Sequence, residues 1–353
     1  MTLASPAPTK RRFPTKRILV AAAGVVVIVA TFAYFLPTIA DYRDVWGIVK
    51  GLSWEWLVVL LAAAALNIAT FAPPWMVLLP GLRFWPALMT TQAATALSIV
   101  FPGGAAVGIA GAYGMLRRRG FPPAHVARSV TLVSLWNQLV NLAYPILALF
   151  LLTAEGAETA VLATAAFVGV AVLGVAIAGL VLVLYSGRMA EDIGEIFARL
   201  TNWARGRFLR RGPVAWGGAE FERFRRDAVG VLRSRWHLLT LATVAGSLTV
   251  FAVLVISLRA VGVSGDTVTI AEAFAAWSLA RILGTIPITP AGIGIVELSL
   301  TATLIGFGGG NTAVVAAVLV YRFLTMIPTI VLGLVAAATW RRSLPKLPAD
   351  HTA

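Results

Sequence analysis

Arg281, Glu297 and Arg322 are ionisable residues set in an otherwise apolar stretch, and that placement is what could give them chemistry to do. A lone charge near the middle of a bilayer costs at least about 2.5–3.5 kcal/mol, so such residues normally face a bundle interior or a wet cavity and pair with one another. The expectation is a Glu297–Arg322 ion pair with Arg281 close by. Two readings of that pair are open: it could belong to a cavity that receives a ligand, or it could be a structural salt bridge locking the turn beside it. Glu297 is also the single candidate for a catalytic base at that depth.

The elements that must position these residues are unusual. Pro287, Pro290, Gly292 and Gly294 cannot all lie inside one regular helix, because each Pro removes a backbone donor and each Gly weakens the helical state. The spacing predicts two half-helices, roughly 272–286 and 291–306, meeting at a Pro/Gly elbow. Each half is too short for a hydrocarbon core of ~30 Å at 1.5 Å per residue, so the pair reads as a re-entrant hairpin. Counting inward from Glu272, Gly306 and Thr312 sets Arg281, Glu297 and Arg322 at a common depth of ~13–15 Å.

Composition supports a membrane setting. The chain has 353 residues, of which 59% are hydrophobic and 12% charged, with a mean hydropathy of +0.86. That profile is a polytopic, all-α membrane protein and excludes an ordinary soluble enzyme. No cysteine is present, so disulfides, thiolate metal sites and cysteine nucleophiles are excluded. His125, His237 and His351 fall at segment ends or in the tail, so no metal site is expected, and no cofactor either. The formal net charge of +14 does not point to nucleic acid. Its basic residues follow the apolar runs: Lys10, Arg11, Arg12, Lys16 and Arg17 before the first, Arg117 to Arg119 after another, Arg341, Arg342 and Lys346 after the last. The positive-inside rule makes these cytoplasmic, with both termini inside a bacterial-type inner (plasma) membrane, and anionic inner-leaflet headgroups account for the excess.

Taken in order, residues 1–17 form a basic cytoplasmic arm and 18–36 an uncleaved first span. A second span, about 56–79, kinks at Pro73–Pro74. Next comes a broken apolar pair, 84–100 and 104–116, interrupted at Phe101-Pro102-Gly103-Gly104, and then spans at about 126–152 and 158–185. Residues 186–235 form an Arg-rich cytoplasmic insert. Its Phe221, Phe224, Ala228, Val231 and Leu232 recur at helical spacing, which reads either as an amphipathic helix on the inner membrane surface or as a solvated hairpin. A span at about 236–260, the elbow, a last span at about 312–340 and a tail of 341–353 complete the membrane domain of 18–340.

A constant shift superposes Pro102 on Pro290, Gly104 on Gly292, Gly120 on Gly308 and Val126 on Val314. Together with the common order of elements, this suggests two repeats, about 54–152 and 236–340. Charge topology puts the first broken pair on the cytoplasmic side and the second outside, so the repeats are inverted, a transporter architecture with its site near the midplane. The parity holds whether each broken pair is re-entrant or spans twice. The half-helix N-termini at Gly103–Gly104 and Ala291–Gly292 would then point at the midplane and favour an anion such as a phosphate. Candidate substrate-binding residues are accordingly Glu297, Arg322, Arg281, Gly103, Gly104, Gly292, Gly294 and Asn137. Asn137, Gln138 and Asn141 suit interhelical hydrogen bonds equally well, and Gly104-xxx-Gly108 and Gly306-xxx-Gly310 match a close-packing pattern.

The segments PGGAAVGIAGAYGMLRRRGF, SLWNQLVNLAYPILAL, ITPAGIGIVELSLTATLIGFG and VLVYRFLTMIPTIVLG resemble the lysylphosphatidylglycerol synthase/flippase transmembrane-region family. The matching hallmarks are Pro290, Gly292, Gly294, Glu297, Tyr321 and Arg322, and the likeness extends over about 18–340. The resemblance implies the membrane half of the multiple peptide resistance factor proteins, which moves aminoacylated phosphatidylglycerol between leaflets. No stretch is similar to the aminoacyl-transferase domain, so synthase activity is not expected. The arginine that many relatives carry after the first elbow is absent, with Gly111 and Ala112 in that neighbourhood, which leaves another polar lipid or a lipid-linked sugar as the alternative cargo. The expected function is transport of a polar, anionic or aminoacylated phospholipid. The rivals are a transferase using lipid-linked substrates and a membrane partner subunit of another enzyme, with a homo-oligomer as a further expected association.

Overall fold

Proline and glycine decide where this apolar chain breaks, and the breaks define its architecture. The computed structural model describes residues 42–100, 104–156, 160–204, 206, 217–285 and 292–339. Among them all regular structure is helical. In chain order the helices are α1 (Tyr42–Lys50), α2 (Trp54–Thr70), α3 (Pro73–Leu78), α4 (Phe84–Val100), α5 (Gly104–Arg118) and α6 (Pro123–Ala154). They continue with α7 (Ala160–Tyr185), α8 (Gly187–Ala204), α9 (Gly218–Ala260), α10 (Ile270–Leu283), α11 (Ile295–Gly306) and α12 (Asn311–Thr339). The arm 1–17, the span 18–36, the tail 341–353 and Gly103 lie outside the described residues.

Among the described residues, five stretches are long and apolar enough to cross a membrane: Trp54–Leu78, Pro123–Ala154, Phe167–Tyr185, Gly218–Ala260 and Asn311–Ala336. The two broken pairs, α4–α5 and α10–α11, are not among them. At 1.5 Å per residue their helices reach only ~18–25 Å, short of the ~30 Å hydrocarbon core. The Phe167–Tyr185 stretch has none of its residues buried. Phe167, Val175 and Tyr185 are all more than two-thirds exposed, an arrangement that suits lipid and not water.

The packing of the two halves is reciprocal. The long helix α6 of the first half packs along α10 of the second broken pair, and the long helix α12 of the second half packs along α4 of the first. Two apolar cores result. One gathers Leu78, Leu79, Leu88, Leu116 and Val126 with Leu232 and Leu239 of α9. The other gathers Leu254 and Leu258 of α9 with Phe274, Trp277, Leu300 and Leu304. At 43 residues, α9 is ~65 Å long and threads both cores as a spine.

Close approach of helices rests on missing side chains. A Cβ on Gly104 would sit 1.7 Å from the Ser98 carbonyl oxygen, and one on Gly108 would lie 2.6 Å from the Ala94 carbonyl oxygen. The Gly104-xxx-Gly108 pattern therefore folds α5 flat onto α4, as small residues do where lipid offers no hydrophobic drive between helices. The second pattern behaves differently. A Cβ on Gly306 or on Gly310 would meet nothing within 4 Å, because α11 ends at Gly306 and the two glycines do not share a helix face.

Three boundaries differ from the sequence expectation. Helix α10 stops at Leu283 rather than 286, with Gly284 as its cap, and α11 starts at Ile295 rather than 291 because Gly292 (φ +67°) and Gly294 (φ +87°) adopt left-handed backbone that no helix continues through. The span expected at 236–260 begins at Gly218. The 221–232 stripe, which reads from sequence either as membrane-facing or as part of a solvated hairpin, is turned inward, with Ala228 and Leu232 buried in the first-half core. The outward apolar face belongs to α8, whose Ile196, Phe197, Leu200 and Trp203 are exposed while Gly194 packs on Phe221 of α9.

Gly104→Ala should destabilise the protein by about 1–3 kcal/mol through forced separation of α4 and α5. Gly306→Ala, which meets open space, should be neutral. Thermal melting of the purified protein in detergent separates the two.

Candidate functional site

Helix α10 is fixed at its start by a reciprocal cap. The Glu272 backbone N–H donates to Thr269 Oγ1 at 3.1 Å, and the Thr269 N–H donates to Glu272 Oε2 at 2.8 Å. The Thr269 hydroxyl also donates to Glu155 at the end of α6 at 2.8 Å, tying the two helices together. Such a box satisfies two orphan donors at once and sets the helix register. Three turns on, that register places Arg281 against α6, where its Nε (2.9 Å) and Nη2 (2.6 Å) both donate to Asn141 Oδ1. The guanidinium carbon lies 4.9 Å from the Trp277 ring centroid, within cation–π range. Trp277 is itself locked among Tyr144, Phe251 and Phe274.

Glu297 occupies the third position of α11 and has both carboxylate oxygens engaged. Oε2 accepts from the Gly294 N–H at 2.7 Å, which is half of a capping box, since glycine has no side chain to complete it. Oε1 accepts from Arg322 Nε on α12 at 2.5 Å. The two side chains are only 10% and 12% exposed. The carboxylate thus neutralises both the positive end of α11 and the arginine facing it. Among the described residues no carboxylate pairs with Arg281.

A cavity of about 310 Å³ opens beside this cluster. Its wall includes Asn67 of α2, Gln92 and Thr95 of α4, Asn141 of α6, Arg281 of α10 and Tyr321, Arg322, Thr325 and Thr329 of α12. Both halves of the chain therefore contribute polar groups to one space. Gln92 is 2% exposed, and among the described residues neither its Oε1 nor Arg322 Nη2 has a hydrogen-bond partner. In a bundle interior such orphans are costly unless something else satisfies them. Gly333 of α12 brings Gln92 into place: a Cβ there would lie 2.5 Å from the Gln92 carbonyl oxygen.

Residues 20–333 match the family model described as Lysylphosphatidylglycerol synthase TM region. The chain belongs to that family. It is accordingly a multi-pass membrane protein, in agreement with its five long apolar helices. No curated protein matches the chain closely.

Among the candidates read from sequence, Arg281 and Arg322 share the cavity wall. Glu297 stands behind Arg322 and is not part of the wall. Asn137 is not in it either; Asn141, one turn further along α6, holds Arg281 instead. Gly104 faces Ser98 and not the cavity. Gly292 and Gly294 shape the backbone of the elbow, and a Cβ on Gly292 would sit 2.8 Å from the Gly284 Cα. Gln92 and the cavity role of Asn67 were missed, although an amide within an apolar run carries the same signal as a charge, at lower strength.

Glu297→Gln strands Arg322 without its counter-charge and should cost about 3–5 kcal/mol, and Arg322→Gln should cost a comparable amount by stranding the carboxylate. The double variant should lose clearly less than the sum of the two. Melting midpoints of the three variants in detergent test this, and simple additivity would mean that the pair does not act as a unit.

Proposed function

We propose that this protein is a lipid transporter that moves a polar lipid between membrane leaflets, its headgroup passing through the central cavity. One observation carries the reading: a polar, arginine-bearing cavity sits inside an apolar helical bundle and takes its wall from both halves of the chain. A structural salt bridge needs no cavity, and intramembrane ionisable groups beside one mark a substrate path. The reciprocal packing of α6 on α10 and α12 on α4 supports the inverted-repeat reading, in which substrate sites lie where the repeats meet. We place the protein in the inner membrane with cytoplasmic termini, on the charge pattern alone.

No covalent step is proposed. A general base must reach the proton it abstracts, whereas the Glu297 carboxylate is held by Arg322 and Gly294 and lies behind the wall. Membrane lipids are the proposed partners, and a role as the membrane subunit of another enzyme has no observation of its own in favour.

Leaflet exchange in proteoliposomes tests the function, with headgroup-labelled lipids and a membrane-impermeant quencher. Arg281→Gln keeps the Glu297–Arg322 pair intact and should slow exchange by about tenfold or more, the worth of one charge-assisted hydrogen bond. If exchange is no faster than in protein-free vesicles for every polar lipid tried, or is unaltered when Arg281, Glu297 and Arg322 are all neutralised, the transport reading fails.

A further inference from the structure

The charge of the cavity wall restricts what the headgroup can be. Its ionisable groups of fixed charge are Arg281 and Arg322, and no Asp or Glu is among its described residues. The carboxylate nearest in the network, Glu297, has one oxygen on Arg322 and the other on Gly294. Counted together, Arg281, Arg322 and Glu297 carry one net positive charge in a low-dielectric setting. Among the described residues Arg281 is held by a neutral amide oxygen and an indole face, neither of which cancels its charge.

The same wall includes an acceptor. Gln92 Oε1 is buried on α4 without a partner, and Thr95, Thr325 and Thr329 supply hydroxyls to the same wall. We infer that the cavity takes a headgroup with a single phosphodiester anion and free hydroxyls, such as a polyol phosphate ester, and rejects one that carries an ammonium group. This rests on the transport reading and narrows it. The phosphate oxygens would receive donors from Arg281 and from Arg322 Nη2, which lacks a partner. A hydroxyl would donate to Gln92. An ammonium would face two guanidinium groups with no carboxylate free to receive it, and a desolvated like-charge contact works against binding.

The test is binding to the purified full chain in detergent micelles, followed by tryptophan fluorescence and calorimetry. The probes are short-chain phosphatidylglycerol, its lysyl ester, phosphatidylcholine and water-soluble glycerol 3-phosphate. Phosphatidylglycerol should bind about tenfold or more tightly than the lysyl ester or phosphatidylcholine. Arg281→Gln should remove that preference, and Arg281→Lys, which keeps the charge, should retain most of it. Gln92→Leu should weaken phosphatidylglycerol and leave phosphatidic acid methyl ester, which lacks the hydroxyls, unaffected. Equal or tighter binding of the lysyl ester, or an Arg281→Gln variant that melts like the parent and keeps the preference, overturns the inference. Its failure is distinguishable from failure of the transport reading. Leaflet exchange that favours ammonium-bearing lipids would sink the inference and keep the function. Glycerol 3-phosphate competing as well as the lipid would keep the anion site and sink the lipid reading.

Discussion

An arginine cannot remain inside a lipid-embedded bundle without a partner, and the pairing of Arg322 with Glu297 is the constraint from which the second half of this protein takes its form. The carboxylate reaches Arg322 only because α11 starts where it does. That start is set by two glycines in left-handed conformation and by the same carboxylate closing back on the Gly294 N–H. The elbow, the ion pair and the position of α12 are thus one interaction viewed from three sides. Removing either charge leaves the other desolvated, so the pair specifies the arrangement more than it stabilises it. Arg322 also lines the cavity, and its second nitrogen is buried without a hydrogen-bond partner among the described residues.

The short helices acquire their stability from the long ones. The helices of α4–α5 and α10–α11 are shorter than the long apolar helices, and backbone ends at membrane depth must be held within protein. Reciprocal packing provides this: α12 covers α4, α6 covers α10, and α9 runs past both. Interhelical polar bonds add register. Asn67 of α2 donates to Thr249 of α9 at 3.2 Å, and Arg235 of α9 donates to the Val77 carbonyl at 2.8 Å, where α3 is about to end. Each such bond is worth only about 0.5–2 kcal/mol, but one-residue slips would break several together.

Much of this was legible in the sequence, and the reasons are physical. Hydropathy and Pro/Gly punctuation located the long helices and both breaks, since lipid tolerates few alternatives to continuous helix. The Glu297–Arg322 partnership followed from the cost of isolated charges at matched depth. Element ends were less legible: α9 continues unbroken through Arg225 and Arg235 because Glu222 and backbone carbonyls absorb those charges, a compensation invisible to a residue-by-residue hydropathy reading. The direction of the Ala228/Leu232 stripe was likewise undetermined, since an apolar face looks the same whether lipid or protein covers it. Gln92 escaped notice because a neutral amide perturbs hydropathy less than a charge does, and only the fold shows that its oxygen lacks a partner.

The two halves share an order of elements without sharing chemistry. Among the described residues, the fixed charges in the cavity wall come from α10 and α12, while α2 and α4 contribute amides and a hydroxyl. On α5, a Cβ on Gly111 would lie 2.5 Å from the Leu97 Cδ1 and Ala112 is fully packed. The first half therefore has close helix contact at this point. On the proposed transport reading, a headgroup would meet a field that points from the second half to the first, its anion toward α10 and α12 and its uncharged end toward α4. Orientation in the cavity then follows from the asymmetry of the halves, because a symmetric pair of arginines would hold the anion midway and leave the rest of the headgroup undirected.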